Sequence, residues 1–177
     1  MLVITTLVAT ELDRDAVVRQ LVEQAGRRGF AIAADLLGDR AEAEDAVQEA
    51  LVRALDGVHR LRDPRAVEGW FFTVLTNLCI RALRRRRVIA AFARLVGARD
   101  DVGRAADDRG PDHARLVAAL DELPAMQKTA IVLRYAHDLG IDEIAAAMDV
   151  GAETVKTHLT RARARLRTRL GVDDGEG

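Results

Sequence analysis

Apolar side chains recur at helical spacing from about Arg14 to Arg87 and again from Ala114 to Leu170, and between the two runs the rhythm is lost. A chain patterned this way must bury one stripe of each helix, so it folds as packed helices rather than as a sheet. Composition agrees where it matters. Alanine, leucine and arginine dominate, while aromatic residues make up only 3%, too few to line the faces of a sheet. The expected fold is all-α: two small helical domains joined by a flexible linker, the second containing a helix-turn-helix.

The breaks in the pattern divide each run. Gly38-Asp39, the stretch Gly57 to Pro64 and the glycines at 26 and 29 interrupt the first, giving three or four helices within residues 1–87. Residues 88–113 include GARDDVGRAADDRGPDH, which has nothing large to bury and reads as a mobile linker. In residues 114–177 breaks at Leu123-Pro124, Asp138 to Gly140 and Asp149 to Gly151 predict about four short helices and a polar tail. The opening MLVITTLVAT is uncharged but far shorter than the roughly 20 apolar residues that a bilayer span needs. Acidic Glu11, Asp13 and Asp15 follow it, without the layout of a secretory signal, so a loosely docked chain end and no membrane insertion are expected.

Several chemistries are not expected. A single cysteine builds no disulfide framework, and histidines at 59, 113, 137 and 158 match no zinc spacing. No nucleophile-base ordering and no glycine-rich phosphate loop is visible, so neither catalytic residues nor a metal or cofactor is expected. The location expected is a reducing cytoplasm. The 27 basic and 28 acidic side chains nearly cancel, so the net charge of -1 says nothing about nucleic acid as a partner. The distribution of charge decides.

Three segments are lopsided. In AEAEDAVQEALVRAL, residues 41–55, Ala46, Val47, Ala50, Leu51, Ala54 and Leu55 form an apolar stripe, and Asp45, Gln48, Glu49 and Val52 point away from it. That outer face, acidic and amide in character, suits a basic or polar helix of a partner. In EGWFFTVLTNLCIRALRRRR, residues 68–87, the buried stripe is Trp70, Phe71, Val74, Leu75, Leu78, Cys79, Ala82 and Leu83. Thr73, Asn77 and Arg84 share the opposite face, with Thr76, Ile80 and Arg87 beside them. Four consecutive arginines repel one another, and phosphate is the obvious counter-charge. The third segment is LGIDEIAAAMDVGAETVKTHLTRARARLRTRL, a short helix, a glycine-containing turn of three residues, and a longer basic helix. This is the helix-turn-helix pattern, whose second helix enters the major groove. Val155, Leu159, Ala162, Leu166 and Leu170 form its buried stripe, while Glu153, Thr157, Thr160, Arg161, Ala164 and Thr168 face outward, flanked by Thr154 and Lys156.

The stretches LLGDRAEAEDAVQEALVRAL, WFFTVLTNLCIRALRRRR and LPAMQKTAIVLRYAHDLGIDEIAAAMDVGAETVKTHLTRARARLR, in that order, closely resemble the extracytoplasmic-function sigma factors of bacterial RNA polymerase. The resemblance implies a polymerase-binding and promoter-melting domain, a variable linker and a domain that reads the minus-thirty-five element. Asp45, Gln48 and Glu49 match the family's D-x-x-Q-E pattern and would sit against the clamp helices of the β′ subunit, the second domain lying at the β flap. Asn77 and the loop Arg60 to Val67, with Arg60, Arg62 and Arg65, would handle the minus-ten element, joined by Thr73, Arg81, Arg84 and Arg85 on the following helix. Lys156, Thr157, Thr160 and Arg161, with Thr154 beside them, match positions that read the minus-thirty-five element. Core RNA polymerase, promoter DNA and an anti-sigma factor are the partners implied. A decoy that binds an anti-sigma factor without touching DNA is a second class, which the basic skew of both DNA-facing segments argues against. A stand-alone helix-turn-helix regulator is a third, and nothing in the sequence suggests the dimer interface it would need.

Overall fold

The computed structural model describes residues 21–58, 66–95 and 110–171, and every regular element among them is a helix. One π-helical turn, Leu21–Ala25, leads into α1 (Gly26–Leu37), followed by α2 (Arg40–Val58) and α3 (Val67–Leu95). The second unit holds α4 (Pro111–Glu122), α5 (Ala125–Tyr135), α6 (Ile141–Met148) and α7 (Ala152–Leu170). Arg60, Arg62 and Arg65, the opening segment and most of the expected linker lie outside the described residues.

The helix ends follow local chemistry. Gly38 closes α1 in the left-handed region (φ 64°), its N–H donating to the Ala34 carbonyl at 2.7 Å. Asp39 then opens α2, its carboxylate accepting the Glu42 N–H at 2.8 Å. Pro124 forces Leu123 into an extended conformation (ψ 144°), so α4 stops and α5 starts in a new direction. Helix α3 continues to Leu95, two turns beyond the point where the sequence pattern fades. The reason is propensity without burial: Ala90, Ala91, Ala93 and Arg94 favour helix, while Val88, Ile89, Phe92 and Leu95 remain exposed and so disrupt the core rhythm.

In the first unit α3 packs on α1 and α2 through Phe71, Leu75 and Cys79, all fully buried. Burial pushes the Cys79 thiol up to about 12, which marks it as an inert core residue. A buried stripe on α2 runs through Ala43, Val47, Ala50 and Ala54, small residues that let the helices approach closely. Trp70 departs from the expected stripe: it is 36% exposed, and its ring lies over Gly57 at the end of α2, where a Cβ would fall 2.2 Å from Cζ3. The indole covers the rim of the core instead of filling it.

The second unit is built around α5, which is buried along almost its whole length. Helices α6 and α7 pack on it and on each other. The two units share one continuous apolar core, with α5 and α6 also packed on α3 and α5 on α1. That docking explains a second departure. Thr76 and Ile80, expected beside the outward face of α3, are 1% and 3% exposed.

Candidate nucleic-acid interface

Three surfaces stand out from this framework. On α2, Asp45, Gln48 and Glu49 are all exposed, opposite the alanine stripe that fixes their direction. Glu49 accepts a hydrogen bond from Arg53 one turn on, at 2.5 Å. The face presents carboxylates and an amide, with one guanidinium at its edge.

On α3 the arginine run divides by role. Arg86 is half-buried, its guanidinium donating to the Leu37 carbonyl at 2.5 Å and pairing with Glu42 at 2.7 Å. It caps the C-terminus of α1, where the helix dipole favours a cation, and ties three helices together. Arg81, Arg84, Arg85 and Arg87 are exposed. Asn77 is half-buried on the same arc as Arg84 and Arg81. Thr73 stands at the edge of that arc, its hydroxyl within 3.0 Å of the Gly69 carbonyl and 3.1 Å of the Ala146 carbonyl on α6. The sequence brings Thr73, Asn77, Arg81, Arg84 and Arg85 to one helix, and the structure keeps all but Thr73 clear of the second unit's polar contacts.

On the helix-turn-helix, Asp149 takes the left-handed position (φ 53°) and the N–H of Val150 reaches back to the Ala145 carbonyl at 3.0 Å. Glu143 accepts from the Gly140 N–H at 2.7 Å and fixes the entry to α6. These two caps set the angle at which α7 leaves the turn. Val155, Leu159 and Ala162 are buried and anchor α7, which packs on α5 and α6, whereas Leu166 and Leu170 in its last turns are only half-buried. Ala164 and Thr168, expected to face outward, line a groove of about 420 Å³ against Ala119 and Leu123 of α4. Glu122 of α4 and Arg169 of α7 pair across it, and each holds the other charged, the Glu122 carboxyl below its ordinary range.

Thr154, Lys156, Thr157, Thr160 and Arg161 are all exposed on the first turns of α7. The Lys156 ammonium pairs with Glu153 at 2.7 Å, which raises its pKa and keeps it cationic. Thr157 donates to the Glu153 carbonyl at 2.9 Å, which leaves its methyl group and hydroxyl lone pairs outward. Such a helix N-terminus presents cationic donors, hydroxyls and methyl groups, the chemistry that base edges in a major groove can pair with. Among the described residues there is no group of three or more histidine, cysteine or acidic side chains that could hold a metal ion, and no helix long and apolar enough to cross a membrane.

Sequence reasoning missed three features. The capping role of Arg86 carries no local signal. The burial of Lys128 on α5 is equally silent, since a lysine normally reads as surface. The second seam of α3 was available in principle: Phe72, Thr76 and Ile80 follow one another at helical spacing beside the main stripe.

Known proteins match this arrangement in the same order. Residues 21–89 match the family described as sigma-70 region 2, and residues 113–166 match sigma-70, region 4. The chain is 32% identical over 148 residues to the RNA polymerase sigma factor SigV of Bacillus subtilis, covering 82% of this chain and 86% of that protein. It is 33% identical over 166 residues to the ECF RNA polymerase sigma factor SigE of Mycolicibacterium smegmatis, covering 89% of this chain and 63% of that protein. A solved structure of the sigma factor RpoE in complex with the anti-sigma factor NepR, from Bartonella quintana, superposes with a TM-score of 0.64 at 28% identity, over 88% of this chain and 97% of that one.

Proposed function

The chain belongs to the extracytoplasmic-function sigma factors of the sigma-70 family, and we propose that its three surfaces divide the work of promoter-specific initiation among them. As an alternative sigma factor it binds core RNA polymerase and directs it to promoters. The acidic and amide face of α2, through Asp45, Gln48 and Glu49, docks on the β′ clamp helices. Asn77, Thr73, Arg81, Arg84 and Arg85 on α3, with Arg60, Arg62 and Arg65 before it, handle the minus-ten element. Thr154, Lys156, Thr157, Thr160 and Arg161 on α7 read the minus-thirty-five element, with the second unit at the β flap. The domain limits that go with this reading are residues 1–87, 88–113 and 114–177.

The mechanism makes and breaks no covalent bond in this chain, which acts as a reader and not as an enzyme, in the cytoplasm where polymerase works. Each unit offers only a few base contacts, worth about 1–3 kcal/mol apiece. Polymerase holds both units at fixed separation, so the first contact raises the effective concentration of the second. Exposed arginines on α3 and α7 add a salt-dependent phosphate term, and capture of extruded bases offsets the cost of melting. An anti-sigma factor, of the kind found with the Bartonella relative, completes the set of partners.

One observation carries this reading: Asp45, Gln48 and Glu49 of α2, Arg81, Arg84 and Arg85 of α3 and the first turns of α7 are exposed and occur in the family's order along the chain. Run-off transcription with purified core polymerase on a randomised promoter library tests it. Initiation at a recurring pair of elements is the expected result. No association with core polymerase at low salt, and no initiation, would remove it.

A further inference from the structure

The outward face of α7 carries one acid among its hydroxyls and cations. Glu153, in the first turn, stands in line with Thr157 and Thr160, and its side chain is 86% exposed. Its Oε1 accepts from the Lys156 ammonium at 2.7 Å. A carboxylate can accept about four hydrogen bonds, so most of this one's capacity stays open.

A carboxylate on a face that meets DNA repels the phosphate backbone. The helix itself has little need of it, since an exposed acid in the first turn complements the dipole only weakly, and Val155, Leu159 and Ala162 already anchor α7. The same carboxylate offsets the charge of Lys156, and exposed Asp142 of α6 acts on that ammonium from the neighbouring helix. A lysine so flanked is a weak phosphate clamp. A donor held beside an acceptor is instead the pattern that a base pair displays in the major groove.

In a guanine–cytosine pair the guanine O6 accepts and the cytosine N4 amino group donates, and an N–H···O bond of about 2.9 Å joins the two across the pair. The Lys156 ammonium and the Glu153 oxygen lie 2.7 Å apart, nearly the same spacing with donor and acceptor exchanged. Guanine N7 gives the ammonium a second acceptor beside O6. Thymine in place of cytosine would set its O4, an acceptor, and its methyl group against the carboxylate. Adenine shows its amino group beside N7, an edge that suits an amide and leaves a carboxylate facing an acceptor.

We propose that Glu153 is a further specificity-determining residue of the minus-thirty-five face: with Lys156 it reads one cytosine–guanine pair, the carboxylate accepting from cytosine N4 and the ammonium donating to guanine O6 and N7. The proposal rests on the assignment of α7 to that element. Glu153 contributes selection rather than grip, because the charge that accepts from cytosine also repels phosphate and so disfavours DNA of other sequence.

The test forms holoenzyme from the full-length chain and core polymerase and selects it on promoters with a fixed minus-ten element and randomised positions around minus thirty-five. Base preference is read position by position, and urea melts accompany each variant. Native holoenzyme should favour cytosine at one position where Glu153→Ala becomes indifferent, a loss of roughly fivefold or more in preference. Affinity of that variant for unrelated duplex should stay level or rise. Glu153→Gln, close to native in shape, should shift the same position toward adenine, whose N6 and N7 an amide meets. An equal loss of preference at every position would mark a structural role for Glu153 and overturn the proposal. So would a loss confined to a position where native holoenzyme favours another base. Preferences that both variants leave intact overturn it while the assignment of α7 stands, and a native holoenzyme without any preference in the randomised region removes both.

Discussion

A Cβ built on Gly29 of α1 would lie 2.8 Å from Cζ of Phe71 on α3, so the two helices touch only because residue 29 has no side chain. Leu75 closes the same gap from the other side, at 2.9 Å, and both neighbours are fully buried and cannot swing away. Alanine at this position gains about 1 kcal/mol of helix propensity but meets an overpacking cost of about 1–3 kcal/mol, and the cost is expected to win. Gly29→Ala should lower the urea midpoint of unfolding. A raised midpoint would mean that the α1–α3 contact is looser than described.

Gly57 makes the opposite case. A Cβ there collides with Trp70, whose ring is partly exposed and free to move outward. Gly57→Ala should therefore change stability little and redden the emission of the chain's only tryptophan as the ring enters water. An unchanged spectrum would show that the ring does not cover that glycine in solution.

The arginine run should separate by measurement as it does by geometry. Replacing Arg84 and Arg85 with glutamine is expected to reduce the salt slope of promoter binding by holoenzyme by about two, close to one per phosphate contact, with stability unchanged. Arg86→Gln should leave that slope alone and cost about 1–2 kcal/mol, because the Leu37 carbonyl loses a charged donor. Salt titrations and urea melts on both variants check the division. A slope that responds equally to Arg86 would place it on DNA beside Arg84 and Arg85.

These residues also show where sequence reading stops. The helices, the Gly38-Asp39 break, the alanine stripe of α2 and the turn at Asp149 were legible because spacing and capping chemistry are local. So were the outward faces of α2 and the start of α7, each fixed by the stripe opposite. What escaped depends on which surfaces meet. Trp70 belongs by spacing to the α3 stripe but sits at its rim, and Thr76 and Ile80 are covered by a unit far along the chain. Arg86 and Lys128 serve carbonyls at the end of α1, a pairing that no spacing rule announces. The expected run of outward arginines thus lost one member to structure, and the two units turned out to touch.

The faces proposed to meet polymerase and promoter are expected to fail independently. Charge reversal at Asp45 or Glu49 should abolish capture of core polymerase while leaving the helix intact, since both side chains are exposed and neither supports the core. Lys156→Ala or Arg161→Ala should weaken promoter binding by the holoenzyme by about 1–3 kcal/mol and leave polymerase association unchanged. Pull-down of core enzyme and promoter gel shifts, run on all four variants, read the two properties apart. Loss of polymerase binding in the α7 variants would mean that the second unit is misassigned.

His158 gives the chain a pH dependence whose sign can be worked out. It is half-buried on α7 with Nδ1 enclosed and unpaired, and burial first, then the nearby Arg161 charge, push its pKa below the ordinary 6.5. The folded state therefore holds the imidazole neutral, while the unfolded chain takes up a proton near pH 6.5. Between the two values unfolding absorbs a proton, so this stabilisation is complete above about pH 6.5 and is lost as the pH falls toward the folded value. His158→Gln removes the titration. The melting temperature of the native chain should fall more steeply than that of the variant on acidification from about pH 7.5 to about pH 5.5, and parallel curves would show that the ring titrates freely in the folded helix.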